Sequence, residues 1–291
     1  KNTGRIDIDE VARLAKEHKP KLIWLGGTAY VFQLEFEDFA RIADDVGAYL
    51  ACDISHIAGL VVGGVHPSPV PFCHIITTTT HKTLRGPRGA LIMVTKRGLR
   101  MDPELPSKVD RAVFPGLGGG PHNHQTAAIA VALKEAASPK FKKYATQVVK
   151  NAKALAKELM KDGLELVGKG TENHLLLVDL TRTNGVGSGV LVQDALGEAG
   201  ITVNKNTVPG ETSSPFYPSG IRLGSPALTT RGMKEVHMRK IAGWIAEVVK
   251  KVGRVELPLD KDQRVSYLAQ KRAEFAKDLE LEKTKKEVKR L

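Results

Sequence analysis

The chain has 291 residues, 42% of them hydrophobic, with two cysteines and no apolar run near the ~20 residues that cross a bilayer. This composition is typical of a soluble globular protein of about two domains in a reducing cytoplasm, and it argues against a disulfide framework, a zinc site built on cysteines and a membrane partner. The net charge is +12, but the basic residues near 261–290 are interleaved with acidic ones, which favours a salt-bridged exposed helix over a nucleic-acid groove.

Short apolar segments alternate with helical patterns in the first half of the chain. Strands are predicted at residues 22–27, 48–53, 74–80 and 90–95, and an amphipathic helix at residues 35–47. Apolar strands that alternate with helices are typical of a parallel sheet covered on both faces. The sequence therefore predicts an α/β fold with a mainly parallel sheet.

A glycine-rich stretch at residues 114–121 interrupts this pattern, and a more mixed order of elements follows. The later predicted elements are a strand at 174–180 and helices at 125–137, from Pro139 to near Gly163, at 190–200 and at 230–251. We expect a large domain over residues 1–137 and a smaller α+β domain with a charged helical tail over residues 138–291.

Three polar side chains follow predicted strands, namely Thr28, Asp53 and Lys82. Ligands bind at the carboxyl ends of parallel strands, so these side chains are candidates for one site. Asp53 and Lys82 could be a structural ion pair. They could also serve pyridoxal phosphate, which needs a lysine amine for covalent attachment and a carboxylate that keeps its pyridine nitrogen protonated.

Other candidate residues carry weaker signals. The glycines of residues 116–120 could let backbone N–H groups approach a phosphate, or they could form plain turns. Arg222, between small residues, could bind a substrate carboxylate or form a surface salt bridge. Six histidines show no recognised metal-ligand spacing, so we predict no metal site. These are His56, His66, His74, His81, His122 and His124.

Residues 77–89, which read TTTTHKTLRGPRG, resemble the signature of the serine hydroxymethyltransferases. The resemblance covers about residues 3–250, in order, and a chance match on this scale is negligible. It implies a fold-type-I pyridoxal-phosphate transferase, and we expect the N-terminal part of the family chain to be absent. The other matching stretches are residues 28–30, 53–60, 66–71, 114–116, 119–121, 173–175, 204–206, 214–216, 219–224 and 229–232.

The resemblance implies a role for each matching residue. Lys82 is expected to bind the cofactor covalently, and Asp53 to contact its pyridine nitrogen. His56 and Thr28 are expected near the phenolic oxygen of the cofactor. Gly120 is expected to bind the phosphate in the site of a neighbouring subunit.

The substrate residues are implied in the same way. Arg222 is expected to bind the serine carboxylate, while Thr79 and His81 flank the lysine and are expected to shape catalysis and specificity. The residues implied for the folate site are Asn206, Ser214, Pro215 and Phe216.

The implied activity converts L-serine and tetrahydrofolate to glycine and 5,10-methylenetetrahydrofolate, reversibly, in a cytoplasmic homodimer or homotetramer with shared active sites. Two alternatives stay open, a folate-independent aldolase of threonine-like substrates and a non-catalytic relative that binds RNA. Gly118 stands where the family usually has glutamine, so substrate preference also stays open. We expect little or no activity from these residues alone, because half of the pocket is absent.

Overall fold

The computed structural model describes residues 3–291 and divides them into two compact units. The N-terminal unit is formed by residues 6–146, and the C-terminal unit by residues 147–291 together with residues 3–5. The units separate within a long helix, a few residues after the boundary expected near residue 137, and that domain assignment stays a prediction. None of the helices in the described part is long and apolar enough to cross a bilayer.

The N-terminal unit contains a four-stranded sheet in the order β1-β2-β3-β4. Its strands are β1 (Leu22–Gly26), β2 (Tyr49–Asp53), β3 (Ile75–Thr79) and β4 (Ala90–Val94). The pairs β1–β2 and β2–β3 are parallel, and β4 is antiparallel to β3. The mainly parallel sheet predicted from the sequence is therefore confirmed.

Helices surround this sheet in chain order. They are α1 (Ile8–His18), α2 (Phe36–Val46), α3 (Ala58–Val62), α4 (Lys96–Met101), α5 (Leu105–Arg111) and α6 (Asn123–Ala136), with a π-helical turn at Ala112–Leu117. The face of α2 that carries Phe36, Phe39 and Ile42 is buried, as its amphipathic pattern predicts. Gly47 ends that helix with a φ of 70°, a left-handed conformation that glycine adopts readily.

The C-terminal unit contains an antiparallel sheet in the order β5-β6-β8-β7. Its strands are β5 (Glu165–Leu166), β6 (Leu175–Asp179), β7 (Asn204–Asn206) and β8 (Gly220–Gly224). Its helices are α8 (Gly189–Glu198), α9 (Pro226–Thr230), α10 (Glu235–Val252), α11 (Lys261–Ala276) and α12 (Leu279–Lys289), and α7 (Pro139–Lys161) spans the division between the units. Leu176, Leu196 and Ile245, from the sheet and two helices, are among the fully buried core residues.

Two predictions about the last third of the chain are wrong in detail. The helix expected at 230–251 begins only at Glu235, because Gly232, with a φ of 88°, separates it from α9. The charged tail was expected to be an exposed helix, but it forms α11 and α12. Leu268 and Leu281 of these helices are buried, so the tail packs on the unit as well as exposing charges.

Candidate active site

The parallel strands bring three of the predicted site residues to one edge of the sheet. Asp53 is the last residue of β2, and the register pairs it with Gly26 on one side and Thr77 on the other. Thr28 comes two residues after β1, and Lys82 three residues after β3. The carboxyl edge of this sheet is therefore the candidate active site.

Asp53 is held as a carboxylate by hydrogen bonds to both of its oxygens. The backbone N–H of Ser55 donates to Oδ1 (2.9 Å) and the Thr77 hydroxyl donates to Oδ2 (2.8 Å). Burial alone would raise the pKa of Asp53, but hydrogen bonds from Ser55 and Thr77 and the positive charge of Lys82 outweigh it and lower the pKa below its ordinary value of 3.8. The stability that this ionised group contributes is present above pH 3.8 and is lost as the pH falls through the lowered pKa.

Lys82 is half-buried and its amine has little to hold it. Its Nζ donates to the Thr79 hydroxyl at 3.3 Å, and it forms no ion pair with any carboxylate among residues 3–291. A direct structural ion pair with Asp53 therefore does not account for the two charges. The Thr79 hydroxyl aims an otherwise available amine.

The backbone around Lys82 is fixed by the segment that follows Asp53. The buried Thr83 hydroxyl donates to the His56 carbonyl (3.0 Å) and accepts from the Gly59 N–H (3.0 Å). Arg85 has a φ of 60°, and its guanidinium lies 4.3 Å from the centre of the Tyr144 ring. These contacts tie the lysine-bearing loop to α3 and to the first turns of α7.

Gly59 allows the close approach of α3 to this loop, so we predict that Gly59→Ala destabilises the protein. A Cβ at Gly59 would lie 2.6 Å from the carbonyl carbon of Thr83, and backbone on both sides leaves no room for it. We expect the free energy of unfolding in urea to fall by about 1–3 kcal/mol.

Gly243→Ala in α10 is the matched control, because its Cβ position meets no atom within 4 Å outside its own helix in the described chain. Alanine is favoured over glycine in a helix, so the control is expected to gain up to about 1 kcal/mol. Equal stability of the two variants would show that α3 and the Lys82 loop are not closely packed.

The two histidines predicted for the site lie on either side of it in sequence. His56 follows Asp53 and offers its backbone carbonyl to Thr83. His81 precedes Lys82, and its Nδ1 is buried without a hydrogen-bond partner anywhere in the described residues 3–291. A buried ring nitrogen of this kind suits a polar ligand atom, because leaving it unsatisfied is unfavourable.

The glycine-rich stretch lies on the surface of the N-terminal unit. Residues 111–124 are all exposed, and the π-helical turn ends at Leu117. Gly120 has a φ of 62°, and no atom of the described chain lies within 4 Å of its Cβ position. A ligand or another chain could approach its backbone closely.

The remaining predicted residues lie in the C-terminal unit. Arg222 sits in β8, opposite Leu177 of β6 and Asn204 of β7, and its burial lowers the pKa of its guanidinium. Asn206 ends β7. The exposed residues 214–216 lie in the loop from β7 to β8, and the Lys205 amine donates to the Phe216 carbonyl (2.7 Å), which joins this loop to β7.

Sequence reasoning missed Ser55, which supports two members of the site. Its N–H donates to Asp53, and its Oγ accepts from the Thr79 N–H (2.9 Å). An aspartate that accepts from the N–H two residues later is an Asx turn, so the Asp-x-Ser spacing was a usable signal.

The N-terminal α/β unit, the Asp53–Lys82 edge and the smaller α+β unit define the fold-type-I class of pyridoxal-phosphate-dependent transferases. Residues 1–245 match the family model described as serine hydroxymethyltransferase, and the chain belongs to the serine hydroxymethyltransferase family.

Curated relatives carry the same name. The chain is 56% identical over 254 residues to the serine hydroxymethyltransferase of Acidothermus cellulolyticus, a match that covers 87% of this chain and 57% of that protein. It is 55% identical over 244 residues to that of Paracoccus denitrificans, covering 84% of this chain and 55% of that protein. The chain thus spans about half the length of the curated relatives it matches.

Proposed function

We propose that this protein interconverts L-serine and tetrahydrofolate with glycine and 5,10-methylenetetrahydrofolate, with pyridoxal phosphate as cofactor. The observation that carries the proposal is the pairing of an ionised Asp53 with an amine, that of Lys82, which lacks an ion pair in the described chain, in a member of this family. The names of the relatives, serine hydroxymethyltransferase, support the choice of substrates.

The residues at the sheet edge fit the cofactor. Lys82 would attach it covalently, and the negative charge of Asp53 would keep its pyridine nitrogen protonated. His56 and Thr28 would lie near its phenolic oxygen. The buried Nδ1 of His81, which has no hydrogen-bond partner in residues 3–291, supports a polar ligand beside the lysine. When bound, pyridoxal phosphate supplies an electron sink for the bond that is broken.

The remaining residues would bind and orient the substrates. Thr79 holds the Lys82 amine in position for attack on the cofactor carbonyl. The half-buried guanidinium of Arg222 would bind the amino-acid carboxylate and so fix which bond is broken. The folate would contact Asn206 and residues 214–216, where the exposed Phe216 ring offers a flat surface for an aromatic ligand.

We propose a homodimer or homotetramer in the cytoplasm. Four large apolar side chains on the turn Ala112–Leu117 and on α6 are exposed, with Leu117 94% and Phe114 65% accessible. A second copy that covered this surface would bring Gly120, with its open backbone, to the neighbouring site, where it would bind the cofactor phosphate. The other two exposed side chains are Val113 and Val131.

Neither alternative function has support from a specific contact. Basic residues of the tail pair with acidic ones, such as Lys271 with Glu274 (2.8 Å) and Lys286 with Glu282 (2.7 Å), so this surface is not a uniform basic groove for RNA. The folate-independent aldolase differs from the proposed enzyme only in its second substrate. The experiment must therefore separate folate dependence from cofactor chemistry.

The test is a series of absorbance spectra of the protein loaded with pyridoxal phosphate. We expect a visible band from cofactor attached to lysine, a change on adding glycine, and a further, larger change when tetrahydrofolate is added as well. A response to glycine that is indifferent to tetrahydrofolate would favour the aldolase. A folded protein that takes up no cofactor would contradict the proposed function.

A further inference from the structure

The loop between β7 and β8, residues 207–219, is organised around one carboxylate. Glu211 is half-buried, and its two oxygens accept three hydrogen bonds from the loop. The Ser213 N–H donates to Oε1 (3.0 Å), the Ser219 N–H to Oε2 (2.7 Å) and the Ser219 hydroxyl to Oε1 (2.7 Å). Hydrogen bonds to an ionised acceptor are stronger than neutral ones, so this carboxylate is the centre of the loop.

The charge state of Glu211 agrees with this geometry. Burial would raise its pKa, but the hydrogen bonds from Ser219 and Ser213, with one from the backbone of Val208, outweigh burial and lower the pKa. The carboxylate is therefore ionised at neutral pH, when all three donors need an acceptor.

Both ends of the bracketed segment are fixed. Ser219, 1% exposed, accepts from the Gly187 N–H through its hydroxyl (3.0 Å) and leads directly into β8. On the other side, the Lys205 amine holds the Phe216 carbonyl against β7. Phe216 itself is 74% exposed, so an exposed aromatic ring is carried by a loop that is anchored on two sides.

We propose that Glu211 is a positioning residue for folate binding. It does not contact the folate. It fixes the path of the loop so that residues 214–216 face the ligand beside Asn206. The inference rests on the proposed function, because the folate role of these residues is itself a proposal.

The test compares Glu211→Gln in the full chain with the wild-type protein. Glutamine has the same size, but its amide nitrogen is a donor, so it cannot accept from all three groups. We expect faster hydrogen exchange across residues 211–219 and an affinity for tetrahydrofolate, measured by calorimetry, that falls by about 10-fold or more. Glycine affinity is expected to stay within about twofold, because β6 and β7 hold Arg222 from both sides.

Two further variants keep the test decisive. Glu247→Gln is the matched control, since Glu247 is exposed on α10 and no hydrogen bond or ion pair is found for it in residues 3–291. Glu211→Asp keeps the charge and is expected to recover part of the folate affinity lost in Glu211→Gln. If Glu211→Gln does not fold, Glu211→Asp still gives an intermediate affinity under the proposal and a wild-type affinity against it.

The outcomes separate this inference from the proposed function. Unchanged exchange in Glu211→Gln, or faster exchange with wild-type folate affinity, overturns the positioning role. An equal loss of glycine and folate affinity also overturns it, because that result indicates a general loss of structure. A wild-type protein that binds no tetrahydrofolate contradicts the proposed function instead, while the exchange measurement still decides whether Glu211 anchors the loop.

Discussion

Lys82→Ala is expected to abolish covalent attachment of pyridoxal phosphate and, with it, the visible absorbance band and all turnover. The amine of Lys82 is the nucleophile at the sheet edge, and its contact in the described chain is the Thr79 hydroxyl at 3.3 Å. Loss of that single weak contact should change the free energy of unfolding by less than about 1 kcal/mol. The measurement is a titration with the cofactor, followed by borohydride reduction and mass spectrometry of the labelled peptide.

Lys96→Ala is the control for this variant. Lys96 is an exposed residue at the start of α4, and it is expected to keep the wild-type spectrum and labelling. Cofactor that is found after reduction on a different lysine of the wild-type protein would contradict the assignment. So would a visible band that survives in Lys82→Ala at the wild-type cofactor affinity.

The regular elements of the N-terminal unit follow from local sequence. The strands β1 to β4 and helix α2 lie within the predicted ranges because each is an apolar run or an amphipathic repeat bounded by glycine or polar residues. Helix α1 was missed although it has a signal. Asp7 caps it by accepting from the Glu10 N–H (3.1 Å), and an aspartate followed three residues later by glutamate is related to the capping box.

Other elements could not be predicted from local pattern. The strands β5 and β7 are two and three residues long and contain Glu165 or Asn and Lys rather than apolar runs. They are strands because β6 and β8 pair with them, which is a tertiary effect. The division of the tail into two helices depends on Asp278, which caps α12 through the N–H groups of Glu280 and Leu281.

The same distinction applies to the candidate site. Asp53 and Lys82 could be placed together because parallel strands put their carboxyl ends at one edge. Gly59, Thr83 and Glu211 could not, because their roles depend on how loops approach each other. The close contact of Gly59 with the Thr83 backbone and the three donors around Glu211 join residues 24 and up to 8 positions apart with no recognised spacing.

Asp53→Asn is expected to leave cofactor attachment intact and to reduce turnover by about 100-fold or more. Asparagine matches aspartate in shape, and its carbonyl can still accept from the Ser55 N–H, so the edge of the sheet should keep its structure. It has no negative charge, however, and cannot keep the pyridine nitrogen protonated. Serine turnover and the visible spectrum should be measured together on the same sample.

The split between attachment and turnover is what distinguishes a chemical role for Asp53 from a structural one. If Asp53 served only to hold Ser55 and Thr77, Asp53→Asn would weaken cofactor attachment and stability while leaving the turnover of loaded protein near the wild-type value. Asp45→Asn, at an exposed position on α2, provides the matched loss of one negative charge and is expected to change neither quantity. Turnover of loaded Asp53→Asn equal to that of Asp45→Asn would show that the carboxylate does not act on the cofactor. The lowered pKa of Asp53 makes the expected result independent of pH above about 4, because the wild-type carboxyl group is ionised throughout that range.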